Sequence, residues 1–135
     1  MLYHTAICVE DVERAARFYD AVLGTLGYRR FYNFTPDAVA FGKIRSEFWI
    51  QTPAHQRSSE PSRGAHFAFA APDRPSVDRF YAAALAAGGK AVSPPAPHPE
   101  YRLDYYGAVV MDLDGHKAEV LVYRPPSASD AAGLG

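Results

Sequence analysis

HTAICVEDVERAARFYDAVLGTLG (residues 4–27) returns 62 positions later in the chain as HFAFAAPDRPSVDRFYAAALAAGG (residues 66–89). The two stretches share nine identical residues, including a histidine at the start of each and an Arg-Phe-Tyr triplet in the middle. A match of this kind at a fixed offset indicates a duplicated structural unit. The sequence therefore predicts two copies of one module within a chain of 135 residues.

The first copy begins with a pattern that is typical of a strand followed by a helix. Residues 2–9 are apolar and rich in β-formers, and Asp11 then offers an N-cap to a helix whose apolar side chains recur every three or four positions. Strand-like segments follow at residues 28–34, 38–42 and 47–52. The pattern predicts a βαβββ order for this module.

The second copy repeats that order, with a helix predicted over residues 73–87. Its predicted strands are residues 65–71, 90–93, 105–112 and 117–123. Four prolines stand between positions 94 and 99. Because proline cannot donate a ladder hydrogen bond, these prolines predict a long irregular excursion after the second strand.

These elements predict an α+β fold in which two βαβββ modules form cupped mixed sheets with the helices on the outer face. Module one is predicted to span residues 1–53 and module two residues 64–124. A polar, Pro/Ser-rich linker at residues 54–63 joins the modules, and residues 125–135 are predicted to form a flexible tail. Residues 1–124 are thus expected to form a single domain.

Composition excludes several classes of function. The chain carries 14 basic and 15 acidic residues, with no Lys/Arg block, so we expect neither a nucleic-acid partner nor binding to a membrane surface. Cys8 is the single cysteine, which excludes a disulfide within the chain and suits a reducing compartment. No signal-peptide pattern and no apolar run of about 18 residues is present. A cytoplasmic protein is therefore expected.

Two histidines occupy the same place in the two copies. His4 and His66 both lie at the start of a predicted first strand. The strand period of two puts small residues such as Ala6 and Ala68 on the histidine face and bulky residues on the opposite face. A strand with one packed side and one roomy side predicts a cleft.

Two glutamates add to this pattern. Glu47 and Glu119 each lie six residues before a proline, which predicts that the last strands of the modules match at an offset of 72. Imidazole nitrogens and carboxylate oxygens suit divalent metals such as Zn, Fe(II), Mn or Ni. The paired histidines and glutamates therefore predict a metal site.

Four motifs carry a resemblance to a known family. They are YHTA at residues 3–6, RFY at residues 17–19, AHFA at residues 65–68 and DLDGHKAE at residues 112–119. With these motifs the chain resembles the vicinal oxygen chelate superfamily, which includes glyoxalase I, extradiol dioxygenases and bleomycin-resistance proteins. The resemblance covers about residues 1–124. It implies that His4, His66 and Glu119 bind the metal.

The last strand of module one leaves two alternatives open. Glyoxalase I-like members add a glutamate from this strand, and here Glu47, Trp49 and Gln51 share one face of it. If Glu47 takes the ligand position, the glyoxalase set of four ligands is complete. If Trp49 takes it, the site resembles the three-ligand site of the dioxygenases.

The resemblance implies a divalent metal cofactor, Fe, Zn, Ni or Mn, and a small substrate that chelates it through adjacent oxygens. The reaction would be an isomerisation or lyase step, in which Glu119 or Glu47 moves a proton, or an extradiol ring cleavage. The alternative is a non-catalytic small-molecule or antibiotic-binding protein like the bleomycin-resistance proteins. We expect a homodimer in either case. The predicted substrate-binding residues are Trp49, Gln51, Tyr105, Tyr106 and Arg102.

Overall fold

The computed structural model describes residues 2–52 and 65–123, and its elements confirm the predicted α+β fold of two βαβββ modules. The first module contains β1 (Thr5–Cys8), α1 (Val12–Gly24), β2 (Arg29–Phe34), β3 (Ala38–Gly42) and β4 (Phe48–Gln51). The second contains β5 (His66–Ala71), α2 (Arg74–Ala86), β6 (Lys90–Pro97), β7 (Tyr106–Met111) and β8 (Lys117–Val122). The predicted linker, residues 54–63, and the predicted tail, residues 125–135, lie outside the described residues.

Each module forms its own four-stranded mixed sheet, in the order β1-β4-β3-β2 or β5-β8-β7-β6. In both sheets the first strand of the module pairs parallel with the last strand, and the other neighbours pair antiparallel. The ladders place Ala6 opposite Trp49 and Ala68 opposite Glu119. The topology thus sets side by side the two strands of each module that carry the candidate ligands.

Both helices begin at equivalent aspartates. The side chain of Asp11 accepts a hydrogen bond from the backbone N–H of Arg14 at 3.1 Å, and Asp73 accepts one from Ser76 at 2.9 Å. Each bond satisfies a backbone donor that has no partner within the helix, and the predicted N-cap at Asp11 is confirmed. Among the described residues, no helix is long and apolar enough to cross a membrane.

Aromatic side chains join the two modules into one core. The ring of Phe48 in module one lies 4.9 Å from that of Tyr19, 5.1 Å from that of Phe67 and 5.4 Å from that of Phe69, measured between centroids. Rings at these distances contribute beyond the area that they bury. The opposite face of β5 is open, since Ala68 is exposed between buried or half-buried phenylalanines. The predicted division into a packed and a roomy face is confirmed for this strand.

A buried polar network also connects the modules. Asp112, in the turn between β7 and β8, accepts a hydrogen bond from the hydroxyl of Tyr19 on α1 at 2.5 Å. The His116 Nδ1 atom lies 2.9 Å from the same carboxylate, and the backbone N–H groups of Asp114 and His116 donate to it at 2.9 Å each. Asp112 and His116 are 5% and 1% exposed. The carboxylate therefore has a partner for each of its buried oxygens.

This network predicts a stability that depends on pH. Burial lowers the pKa of His116, but the hydrogen bond and charge of Asp112 outweigh burial and raise the pKa above its ordinary 6.5. Burial raises the pKa of Asp112, but its hydrogen bonds from His116 and Tyr19 outweigh this and lower it below 3.8. The His116 contribution is present below pH 6.5 and lost as pH rises through the folded pKa, whereas the Asp112 contribution is present above pH 3.8 and lost as pH falls.

We therefore expect the free energy of unfolding to decline from pH 6.5 towards alkaline pH, where His116 loses its charge. Urea unfolding at a series of pH values measures this decline. A His116→Gln variant, which has no titrating imidazole at this position, is expected to flatten it. An equally steep decline in the variant would mean that other groups cause the pH dependence.

Strand β6 differs from the sequence prediction. The prolines after residue 93 predicted an irregular excursion, but β6 continues through them from Lys90 to Pro97. Its pairing with β7 shifts in register between Ala91 and Ser93 and again between Ser93 and Ala96. Because β6 is an edge strand, its outer side needs no ladder donors, and the shifts accommodate the prolines. The predicted end of the strand at residue 93 is therefore wrong.

Candidate metal-binding site

The second module brings one histidine and one glutamate together on its open face. His66 opens β5 and Glu119 lies on the neighbouring strand β8, opposite Ala68. The Nε2 atom of His66 lies 2.9 Å from Oε1 of Glu119. The His66 side chain is 50% exposed and that of Glu119 is 17% exposed. An imidazole nitrogen and a carboxylate oxygen are thus adjacent and accessible, as a divalent cation requires.

Tyr105 holds the second oxygen of this glutamate. Its hydroxyl donates a hydrogen bond to Oε2 of Glu119 at 2.7 Å. Burial, followed by the hydrogen bond to Glu119, raises the pKa of Tyr105 well above its ordinary value, so the phenol keeps its proton at neutral pH. Gly107 makes room for the phenol, since a Cβ at this position would lie 2.6 Å from the Tyr105 hydroxyl oxygen. This role of Gly107 was not predicted from the sequence. The one signal for it is the alternation of side chains along β7, which puts positions 105 and 107 on the same face.

His4 lies on the other sheet, immediately before β1. Its ring lies 5.8 Å from that of Tyr3 and 6.4 Å from that of Trp49, between centroids. His4 and His66 both line a cavity of about 390 Å³, together with Arg45, Glu47 and mostly apolar side chains. Within residues 2–52 and 65–123, no three His, Cys, Asp or Glu side chains lie close enough together to hold one ion. His4 therefore faces the same space as His66 without completing a three-ligand group.

The ladder between β1 and β4 identifies the counterpart of Glu119 in module one. Because Ala6 matches Ala68 in the repeat, the residue opposite Ala6 corresponds to the residue opposite Ala68. That residue is Trp49, not Glu47. The last strands therefore match at an offset of 70 from position 49 to position 119, and the predicted offset of 72 is wrong. The prolines that suggested 72, Pro53 and Pro125, lie outside the described residues.

Glu47 lies just before β4 begins. Its Oε2 atom is 3.4 Å from the backbone nitrogen of Lys43, which is a long hydrogen bond. In the part of the chain that the structure describes, no ion pair joins Glu47 to Arg45. The Glu47 carboxylate therefore lines the cavity without a partner of opposite charge among the described residues.

The remaining predicted substrate-binding residues are spread over the fold. Tyr106 lies on the helix side of its sheet, and its hydroxyl donates to Asp78 at 2.7 Å. Arg102 donates to the backbone oxygen of Val122 at 3.0 Å and pairs with its loop neighbour at 2.6 Å. Gln51 ends β4 on the same strand face as Trp49. Tyr105 alone among the predicted substrate-binding residues contacts the His66–Glu119 pair directly.

Comparison with known proteins identifies the family of the chain. Residues 2–120 match the sequence model of a protein family described as "Glyoxalase/Bleomycin resistance protein/Dioxygenase superfamily". The chain belongs to this superfamily. A glyoxalase/bleomycin resistance protein from Albidiferax ferrireducens T118 is 32% identical in sequence, with a TM-score of 0.74 over 90% of this chain and 97% of the other.

More distant members of the superfamily share the fold. A lactoylglutathione lyase from Agrobacterium tumefaciens is 21% identical, with a TM-score of 0.69 over 90% of this chain and 92% of the other. The fosfomycin resistance protein FosX from Mesorhizobium loti is also 21% identical, with a TM-score of 0.63 over 100% of this chain and 98% of the other. No curated protein matches the sequence significantly.

The donor set of this superfamily member fits a divalent cation in part. His66 and Glu119 supply adjacent nitrogen and oxygen donors on an open face. Tyr105 satisfies the glutamate oxygen that does not face His66, as partners of metal ligands commonly do. The third candidate, His4, shares the cavity with His66 and stands on a different sheet. One chain in this structure thus presents two donors together and a third across the cavity.

Proposed function

We propose that this protein is a metal-dependent enzyme that acts on a small substrate chelating the metal through adjacent oxygens. His66 and Glu119 would hold the divalent cation, and His4 would complete the set. The observation that carries the proposal is the 2.9 Å approach of the His66 nitrogen to the Glu119 oxygen on an accessible face. An imidazole nitrogen and a carboxylate oxygen are both usual ligands of such cations.

The register of β4 favours a set of three protein ligands. Trp49 stands opposite Ala6, where a fourth ligand equivalent to Glu119 would lie, and an indole does not coordinate metals. Three ligands leave positions open for a chelating substrate. When bound, an Fe, Zn, Ni or Mn ion would act as a Lewis acid towards two neighbouring substrate oxygens. Isomerisation or lyase chemistry and extradiol ring cleavage both need a substrate that is held through two oxygens, and the three-ligand set resembles that of the dioxygenases more closely.

Tyr105 would position the ligating glutamate. Its hydroxyl donates to Oε2 of Glu119, which leaves Oε1 beside His66 free to ligate. Gly107 has no side chain, which leaves the space that the phenol of Tyr105 occupies. Tyr105 is therefore proposed as a positioning residue, and Glu119 as both ligand and proton carrier.

We also propose that the protein is a homodimer in which His4 comes either from the same chain or from the second copy. Large apolar side chains are exposed in the single chain: Leu2 is 76%, Ile44 88% and Leu103 94% exposed. Exposed apolar groups of this size favour association. Mixing refolded His4→Ala and His66→Ala chains distinguishes the arrangements, because only exchange between copies would restore one intact site.

The metal proposal predicts that protein purified without chelators contains about one divalent ion per chain. Added divalent cation should raise the free energy of unfolding by ~2.7 kcal/mol at ~100 times the Kd. Elemental analysis and thermal unfolding measure the two quantities. A His66→Ala variant should lose both effects. A His98→Ala variant should retain them, since His98 lies in a loop with Glu100 as its hydrogen-bond partner. Wild-type protein with neither effect would refute the proposal.

A second candidate function, non-catalytic binding of a small molecule, rests on the aromatic side chains of module one. Tyr32 stacks on Trp49 at 5.6 Å and on Phe34 at 5.7 Å between ring centroids. Such a surface suits planar ligands whether or not a metal is bound. Ligand binding without metal and without turnover would favour this candidate.

A further inference from the structure

A second cavity, of about 470 Å³, is also lined by His4. Trp49 and Tyr32 form one part of its lining, with ring planes inclined by 17° and centroids 5.6 Å apart. Phe34 continues the series beyond Tyr32 at an angle of 15°. Three nearly parallel rings form a platform on which another planar ring can stack. The volume is within the range of small-molecule sites.

The polar part of this cavity has two buried groups without partners. Among the described residues, neither the Nε atom of Arg45 nor the Oγ atom of Ser46 has a hydrogen-bond partner, and both atoms are inaccessible to solvent. Both residues lie between β3 and β4 and line the cavity. A buried donor without an acceptor costs about 1–3 kcal/mol, and more when it is charged. Each group would gain a hydrogen-bond partner if its side chain turned towards an acceptor in the cavity.

The charge of the lining agrees with an anionic acceptor. The described residues that line the cavity include Arg45 but no aspartate or glutamate. The guanidinium carbon of Arg45 lies 4.8 Å from the centroid of the Tyr3 ring, which restricts the position of the side chain. An arginine held in this way can pair with a carboxylate through two hydrogen bonds.

The backbone fixes the position of these donors. A Cβ at Gly42 would lie 1.6 Å from the carbonyl oxygen of Arg45, so only glycine permits this close approach. The backbone N–H of Glu47 donates a hydrogen bond to the backbone oxygen of Phe41 at 2.9 Å, which joins the two ends of the loop. The loop that carries Arg45 and Ser46 is thus built onto the ends of two paired strands.

We propose that this cavity binds the ring and the anionic group of the substrate, which belongs to the class of planar aromatic carboxylates. The ring would stack against Trp49 and Tyr32, and the carboxylate would accept hydrogen bonds from Arg45 and Ser46. His4 lines both this cavity and the one that contains His66. The inference deepens the proposed function, because it assigns a substrate class to the space beside the proposed ligands, but the binding itself requires no metal.

Trp49 makes the proposal directly testable, because it is the single tryptophan in the chain. Quenching of its fluorescence by benzoate, in the presence of a chelator, reports binding at the platform alone. Benzamide, which has the ring without the charge, and cyclohexanecarboxylate, which has the charge without a planar ring, serve as comparators. We expect benzoate to bind at least ~10-fold more tightly than either.

Variants test the residues. Arg45→Gln should weaken benzoate binding ~10-fold or more, and Tyr32→Leu should weaken it several-fold. Arg17→Gln serves as the matched control, because Arg17 is exposed on α1 and pairs with Glu13. Benzamide binding as tightly as benzoate, or an Arg45→Gln variant with wild-type affinity, would overturn the proposal.

The outcomes separate this inference from the metal site. Benzoate binding in chelator together with an absence of bound metal would leave the substrate class standing and refute metal dependence. Bound metal without benzoate binding would support the metal site and refute the substrate class. Failure of benzoate to quench Trp49 fluorescence would also overturn the proposal.

Discussion

A Glu119→Gln variant is expected to bind divalent cations at least ~100-fold more weakly than the wild-type chain while retaining its fold. Glutamine keeps the shape of the side chain and can still accept the hydrogen bond from Tyr105, but it lacks the negative charge that attracts the ion. Removal of a residue that only hydrogen-bonds to a metal ligand typically lowers metal affinity by roughly 10–100-fold. The loss of a ligand should therefore lower the affinity by at least the upper value. Calorimetric titration with Zn or Ni measures the affinity.

The fold should tolerate this change because the Glu119 side chain lies on the open face and is 17% exposed. We expect the free energy of unfolding, measured in urea, to change by no more than ~1 kcal/mol. A Tyr105→Phe variant should give an intermediate loss of affinity, ~10-fold, because it removes only the positioning hydrogen bond.

Glu47→Gln is the matched control. Glu47 lines the cavity but does not lie opposite Ala6, so its replacement should leave cation affinity within ~3-fold of wild type. A loss equal to that of Glu119→Gln would mean that Glu47 is a fourth ligand. A Glu119→Gln variant with unchanged affinity would contradict the metal site itself.

An internal repeat predicts the order of the helices and strands, but it does not predict the register of the strands. Matching residues at a constant offset predicted the order of elements correctly, because each module must bury the same apolar face in the same way. The repeat did not determine the register of the last strands. That register depends on ladder hydrogen bonds between β1 and β4 and between β5 and β8, which no local pattern encodes.

Local sequence patterns also did not predict the contacts between residues that are far apart in the chain. Tyr105 and Glu119 lie on one face of the sheet because Glu119 pairs with Val109 on β7 and Tyr105 stands four residues before Val109. Their hydrogen bond also depends on the space that Gly107 leaves. Tyr106 is the next residue after Tyr105, but its side chain points to α2, where Asp78 accepts a hydrogen bond from its hydroxyl. Neighbouring aromatic residues thus serve opposite faces of the sheet.

The second large effect is expected at Asp112. An Asp112→Ala variant should lower the free energy of unfolding by ~3–5 kcal/mol. Its carboxylate accepts hydrogen bonds from the Tyr19 hydroxyl, from His116 and from two backbone N–H groups, all of them buried or partly buried. Alanine would leave these donors without an acceptor and His116 without its counter-charge. Urea unfolding monitored by circular dichroism measures the loss.

Asp20→Ala is the control for the loss of an aspartate as such. Asp20 pairs with Arg30 at 2.6 Å, but its side chain is 45% exposed, so its removal should cost no more than ~1 kcal/mol. A similar cost for both variants would mean that the Asp112 network contributes little. Because Tyr19 belongs to module one and Asp112 to module two, the coupling energy of a Tyr19→Phe and Asp112→Ala double-mutant cycle then measures how strongly this single carboxylate joins the two modules.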